Sequence, residues 1–452
     1  MTRVLLLSAN LTTAPFPVYP LGMAVVAEAL VRSGHEVEQF DLLAEGGEEE
    51  HLWERLRAFE PRFVALSLRN LDNCDSLTAT PYPDFAKGLV ARIRTRSAAT
   101  IILGGPAFSI LPEELLAFIG GDYGVVGEGE RLVCELIEAL EEGIPPAPIL
   151  RNKTLLKGEE LGTPRFESRL VAFYQERSGM VNFQTKRGCA HGCIYCSYPT
   201  LEGKRYRFRD PRLVVEELKQ AQQDHGAEAF FFTDAVFNDD QGHYLAVVEE
   251  LLRQDVGLRW CCYIRPQGLG RREVALMKRS GLFAAELGTD AACDRTLRSL
   301  GKGFTFQEAW EVNEAFVAER VPCAHFVMFG GPDETLATVK EGLANLDTLR
   351  HTVVFAYTGL RILPDTPLHV RAVRDGVLAA DAPLRDPVFY HSPQVDRAEM
   401  ESLILASFKG RRDRVFPPER GEQMRVIMER FGRRGLLWDS LIAFPKEAEG
   451  GH

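Results

Sequence analysis

The stretch Arg187–Pro199, RGCAHGCIYCSYP, sets Cys189, Cys193 and Cys196 inside eight residues, with Tyr195 directly before the last cysteine. Thiolates at that density read as a metal-ligand set. A structural zinc site takes four ligands, ordinarily as Cys pairs separated by a longer gap. This triplet has no obvious fourth member, and a tight loop of cysteines suits an iron–sulfur cluster. In a four-iron cluster, three cysteines leave one iron open, and an open metal position is where a cofactor or substrate docks. A zinc loop or a chance grouping is the competing reading. Among the nine cysteines, Cys74, Cys134, Cys293 and Cys323 stand alone and read as small buried side chains. Cys261 and Cys262 are adjacent, so a strand would point them to opposite faces.

CAHGCIYC fits the CxxxCxΦC pattern, aromatic residue included, and the chain resembles the radical SAM superfamily over about residues 180–370. The resemblance implies a 4Fe-4S cluster on Cys189, Cys193 and Cys196 whose open iron chelates S-adenosyl-L-methionine. One electron then cleaves that cofactor to methionine and a 5′-deoxyadenosyl radical. Further stretches are similar to the family's cofactor-binding motifs. FFFTDAVFN (230–238) offers Thr233 and the acid Asp234 for the amino group. ELGTDAACDRTLRSLGKGFT (286–305) offers Gly288 and Asp290, an aspartate where the family more often has glutamate. FVMFGGPDET (326–335) offers Gly330, with Asp333 in a glycine's place, and LRILPDTPL (360–368) offers Arg361 and Ile362. Tyr195 completes the expected S-adenosylmethionine site with Arg265 and Arg361, whose place at or near strand ends equally suits an anionic substrate group or a structural salt bridge.

The elements that must carry these residues fall into two alternating halves. Within residues 1–143, apolar runs at 3–9, 36–43, 62–68, 100–105 and 122–127 alternate with helical stretches. That alternation predicts a parallel sheet covered on both faces, a Rossmann-like domain with its ligand at the strand C-termini. No G-x-G-x-x-G follows the first strand, which disfavours a dinucleotide. A Rossmann-like half ahead of a radical SAM half resembles the cobalamin-binding radical SAM class. By that resemblance, VYPLGMAVVAEALVRSGHEVEQFD, LGGPAFSILP and GEGE mark a cobalamin domain. The expected contacts are Leu21, Gly22, Ser67, Arg69, Asn70, Gly104, Gly105, Phe108, Ser109, Gly127, Glu128, Gly129 and Glu130. Tyr198, with Pro199, is expected at the corrin edge. The D-x-H-x-x-G motif is missing and no histidine precedes His35. Many members of the class it resembles also lack that motif, and the resemblance implies base-off cobalamin without a protein histidine ligand, with Arg69 or Asn70 facing the corrin or its lower side.

Proline, glycine and charge at 144–179 predict a linker. Strand–helix units from 180 to 384 predict a partial (β/α)6 TIM barrel with its site at the strand C-termini. Residues 385–452 read as a mostly helical extension, a cap suited to a lipid or an aromatic metabolite. The net charge of −11 argues against a nucleic-acid partner. Neither a signal peptide nor a membrane span is expected, which points to the cytoplasm. The expected activity is methylation of an unactivated carbon of a small-molecule substrate through methylcobalamin, with electrons from a flavodoxin or ferredoxin. Non-methylating cobalamin chemistry, an RNA-modifying methylthiotransferase-like enzyme and a cobalamin sensor are the rivals.

Overall fold

The computed structural model describes residues 1–444 and consists of two parallel sheets flanked by helices. The first contains β1 (Arg3–Ser8), β2 (Glu36–Asp41), β3 (Phe63–Ser67), β4 (Thr100–Gly104), β5 (Tyr123–Val126) and β6 (Ile149–Arg151), in the order β2-β1-β3-β4-β5-β6. β1, RVLLLS, is buried along almost its whole length, as a strand covered on both faces must be. The chain reverses direction across the sheet between β1 and β3. A ligand crevice opens at such a switch point, outside the strand C-termini.

β6 corrects the linker expectation. Ile149–Arg151 pairs with Gly124–Val126 of β5, and the helix Ser168–Ser178 follows. The strand is three residues long with prolines just before it, so no periodicity could reveal it.

The second sheet holds β7 (Val181–Phe183), then β10 (Ala229–Phe232), β11 (Arg259–Ile264), β12 (Leu282–Asp290), β13 (Cys323–Phe329) and β14 (Val353–Thr358). A small hairpin, β8 (Lys186–Arg187) with β9 (Arg207–Phe208), brackets the cysteine loop. Helices separate the later strands. The helix Pro211–His225 shows why: Asp210 accepts a hydrogen bond from the Arg212 amide, Pro211 opens the first turn, and left-handed Gly226 closes the last.

The C-terminal extension is not merely a helical cap. β16 (Phe389–Tyr390) pairs with β15 (Leu360–Arg361), and β17 (Arg414–Val415) joins β14. The barrel sheet therefore runs β17-β14-β13-β12-β11-β10-β7, open between β7 and β17. Residues 418–441 cross that gap. Gly421 packs on Val415 and Phe355 at one edge, and Gly435 packs on Gly179 at the other. Leu436 and Trp438 then enter the barrel interior beside Met180, Phe231, Cys261, Ala284, Ala324 and Val353. Residues 445–452 of the expected extension lie outside the described residues.

Two of the lone cysteines depart from expectation. Cys74 is exposed and Cys134 is half-buried, whereas Cys293 and Cys323 are buried. Among the described residues, no helix is long and apolar enough to cross a membrane.

Candidate active site

The cysteine loop starts at a backbone position only glycine tolerates. Gly188 has φ +89°, and a Cβ there would stand 2.1 Å from the Arg205 carbonyl oxygen. The Cys189 amide then donates to Gly203 O at 3.1 Å, and the Ile194 amide donates to Leu300 O at 3.1 Å. The loop is thus tied both to its own hairpin and to the segment after β12. Cys189 is buried, Cys193 and Cys196 are half-buried, and all three are free thiols. Burial pushes the Cys189 thiol up and the Cys196 thiol up to about 12, and the charge of Cys193 adds to both. Arg265 and Lys302 act in the opposite sense on Cys189. Among the described residues, no three His, Cys, Asp or Glu side chains gather around a single ion. Three soft sulfur donors with two cations beside them are a donor set that fits an anionic iron–sulfur cluster.

Asp234 does not present a free carboxylate. It is fully buried at the end of β10 and accepts from the Thr185 amide at 2.7 Å, the Lys186 amide at 3.3 Å and the Thr185 hydroxyl. Lys186 Nζ lies 3.3 Å from the carboxylates of both Asp234 and Asp239. Asp234 therefore corrects the expectation of an amino-group ligand: it positions the chain entering the cysteine loop. Arg361 is corrected likewise. Its Nε donates to Asp72 at 2.6 Å and its other nitrogens donate to Ile362 O and Leu384 O at 2.7 Å. An ion pair between the two halves holds it at the wall of the cavity described below.

The other expected cofactor contacts divide. Asp290, at φ +62°, takes contacts from the Tyr195 hydroxyl and Lys302 Nζ, and Gly288 lies beside it. Arg265 stacks over Phe304 at 4.8 Å and donates to Gln267 at 3.1 Å. Tyr195, Gly288, Asp290, Arg265 and the unforeseen Lys302 thus gather around the loop. Thr233 caps β7 by donating to Phe183 O at 3.0 Å and lines the cavity described next. Ile362 is fully buried, and the Gly330 amide donates to buried Glu334 at 2.7 Å, so both serve packing.

A cavity of about 1050 Å³ opens at the C-terminal ends of the first sheet. Its first wall includes Leu21, Gly22, Ser67, Arg69, Asn70, Gly104, Gly105, Ser109, Gly127, Glu128, Gly129 and Glu130. The second carries Ser197 and Tyr198 from the cysteine loop with Tyr263 and Tyr357 from the barrel. The third is Met424, Met428 and Trp438 from the crossing segment. Gly105, at φ +93°, closes against β3: a Cβ would stand 2.6 Å from Leu68 O. Phe108 is a correction. It is fully buried, and its ring fills the space a side chain on Gly124 would need. Glu128 and Glu130 line the cavity but are paired, both with Arg187 (3.1 and 2.6 Å) and Glu128 also with Arg207 (2.6 Å). Burial alone would raise the Glu130 carboxyl, but Arg187 outweighs it and holds that group below its usual range. Arg187 sits one residue before Gly188, so the same charge cluster joins the cavity floor to the cysteine loop.

Known proteins share both halves. The profile of the B12 binding domain matches residues 7–137, and that of the Radical SAM superfamily matches residues 183–344. The chain is 25% identical over 427 residues to the tryptophan 2-C-methyltransferase of Streptomyces laurentii, covering 77% of this chain and 71% of the relative. It is 24% identical over 379 residues to an uncharacterised methyltransferase of Pyrococcus horikoshii, covering 78% of each. The radical S-adenosylmethionine methyltransferase TsrM of Kitasatospora setae, solved with cobalamin and a [4Fe-4S] cluster, superposes with a TM-score of 0.80 at 22% identity, over 97% of both chains. With a B12-binding domain, a radical SAM domain and this arrangement of the two, the chain belongs to the cobalamin-binding radical SAM enzyme family.

Proposed function

We propose that this enzyme is a C-methyltransferase that carries a methyl group from S-adenosylmethionine to an unactivated carbon of a small molecule. One observation carries the reading. A single cavity touches the C-terminal edge of the B12-binding sheet, the residues just after Cys196 and the barrel strand ends. Two cofactors and a substrate must meet in such a space, and holding reactants in register is where much of the rate comes from.

When bound, the cluster supplies the electron that splits the sulfonium, and the corrin supplies a methyl carrier. The chain's own residues do the rest. Cys189, Cys193 and Cys196 hold the cluster. Tyr195, Gly288, Asp290, Lys302 and Arg265 frame S-adenosylmethionine beside it. Gly104, Gly105, Ser109, Gly127 and Gly129 line the wall that would face the corrin, with Leu21, Gly22, Ser67 and Tyr198 at its edges. Glu128 and Glu130 act through Arg187, which they anchor. Arg69 and Asn70 line the cavity and would face the lower side of a base-off corrin, and no histidine lines it among the described residues. Leu436, Leu437 and Trp438, the buried end of the crossing segment, exclude water from the reacting groups. A flavodoxin or ferredoxin as electron donor and a cytoplasmic setting belong to the same proposal.

Relatives support methyl transfer. Besides the tryptophan 2-C-methyltransferase, the hopanoid C-3 methylase of Methylococcus capsulatus is 27% identical over 313 residues. The test is to reconstitute the protein anaerobically with iron, sulfide and hydroxocobalamin and to supply reductant and S-adenosylmethionine labelled with deuterium on its methyl group. Label recovered on the corrin supports the proposal. A loaded enzyme that forms 5′-deoxyadenosine but never labels its corrin points to a non-methylating radical reaction instead.

A further inference from the structure

Glu286 is a buried carboxylate of the barrel sheet. It lies in β12, is 4% exposed, and stands in register between Tyr263 of β11 and Ala324 of β13. The first of these lines the large cavity, as do Tyr357 and Trp438. Four other buried or half-buried carboxylates face a cation: Asp72 has Arg361, Glu128 has Arg187 and Arg207, Asp234 has Lys186, and Asp290 has Lys302. Glu286 forms no ion pair among the described residues. Its one hydrogen bond there is accepted from the indole Nε1 of Trp438 at 3.2 Å.

A lone carboxylate deep in an aromatic-lined barrel costs stability unless a ligand repays it. Burial pushes Glu286 up to about 7, and the Trp438 indole only partly offsets that, with no cation contributing. A cation would complete the site in two ways. It would neutralise the carboxylate through a charge-assisted hydrogen bond, and it would sit among the faces of Tyr263, Tyr357 and Trp438.

We infer that Glu286 is the specificity-determining residue that binds a protonated amine on an otherwise apolar substrate, with Trp438 orienting its carboxylate. The inference rests on the cobalamin-dependent small-molecule reading and names the substrate class for it. Trp438 reaches Glu286 because the crossing segment closes the barrel wall, so the same stretch both seals the site and shapes its selectivity.

The test uses reconstituted holoenzyme and two probes of matched shape, phenethylamine and 2-phenylethanol, titrated by ligand-observed NMR. Wild-type enzyme should prefer the amine by about ten-fold or more. Glu286→Gln should lose that preference with its cluster and corrin absorption unchanged, while Glu286→Asp should retain part of it. As an independent readout, the amine should change indole fluorescence in the wild type but not in Trp438→Phe. Equal binding of amine and alcohol by the wild type, or an undiminished preference in Glu286→Gln, overturns the inference. Failure of the cobalamin reading would show separately, as protein that takes up no cluster or corrin.

Discussion

Arg361 Nε donates to Asp72 at 2.6 Å, and both side chains are buried where the B12-binding half meets the barrel. The remaining guanidinium nitrogens are spent on the carbonyls of Ile362 and Leu384. The pair fixes the two cofactor-bearing halves against each other across 289 positions of sequence.

Asp72→Ala should leave the guanidinium buried with neutral partners only. Removing one member of such a pair costs about 3–5 kcal/mol. Thermal unfolding should show a drop of several degrees in the first transition. An unchanged melting curve would mean that the halves are held elsewhere.

Gly105→Ala should destroy corrin binding more completely than cluster binding. The substitution forces a side chain into φ +93° and against Leu68 O, at the cavity rim. Visible spectra after reconstitution should keep the cluster band and lose the corrin bands. Retention of both would show that β4 and its following turn can shift without consequence.

Asp234→Ala should lower iron content without touching corrin content. It removes the acceptor of the Thr185 and Lys186 amides and one of the two carboxylates beside Lys186. Iron and corrin assays on one preparation separate the two effects. If Asp234 bound the cofactor directly, iron would stay at the wild-type level while affinity for S-adenosylmethionine fell.

Glu334 sets a pH dependence of stability. Burial raises its carboxyl from 4.5 to about 7, against opposing hydrogen bonds from the Gly330 and Gly331 amides and the Thr338 hydroxyl. The folded state then holds a proton that the unfolded chain releases. Its stabilising effect is complete below pH 4.5 and is lost as pH rises towards 7, by up to about 3 kcal/mol at 1.36 kcal/mol per pKa unit. Glu334→Gln should flatten the fall of melting temperature between those limits. A variant with the wild-type slope would assign the loss to other groups, Glu286 foremost.

The sequence exposed the strong periodicities and the tight motif, and physics explains both. β1, β3 and β4 are apolar because both faces are covered, and the cysteine triplet needs no fold to be read. β6 and β17 were invisible because two or three residues carry no period. The partners of Asp234 and Arg361 are not legible in the sequence, because Thr185, Lys186 and Asp72 are distant along the chain and only the fold brings them near. Lys302 and Glu286 lie within ELGTDAACDRTLRSLGKGFT, yet nothing local distinguishes them. What marks them is the contact with Asp290 in one case and the lack of a cation in the other.

Cys189, Cys193 and Cys196 would leave one iron of the cluster open. Electron paramagnetic resonance of the reduced, reconstituted enzyme, with and without S-adenosylmethionine, tests it most directly. The expected result is a [4Fe-4S] signal whose g values shift when S-adenosylmethionine binds, and no such signal in Cys193→Ala. A signal indifferent to S-adenosylmethionine, or zinc in place of the cluster, would contradict it.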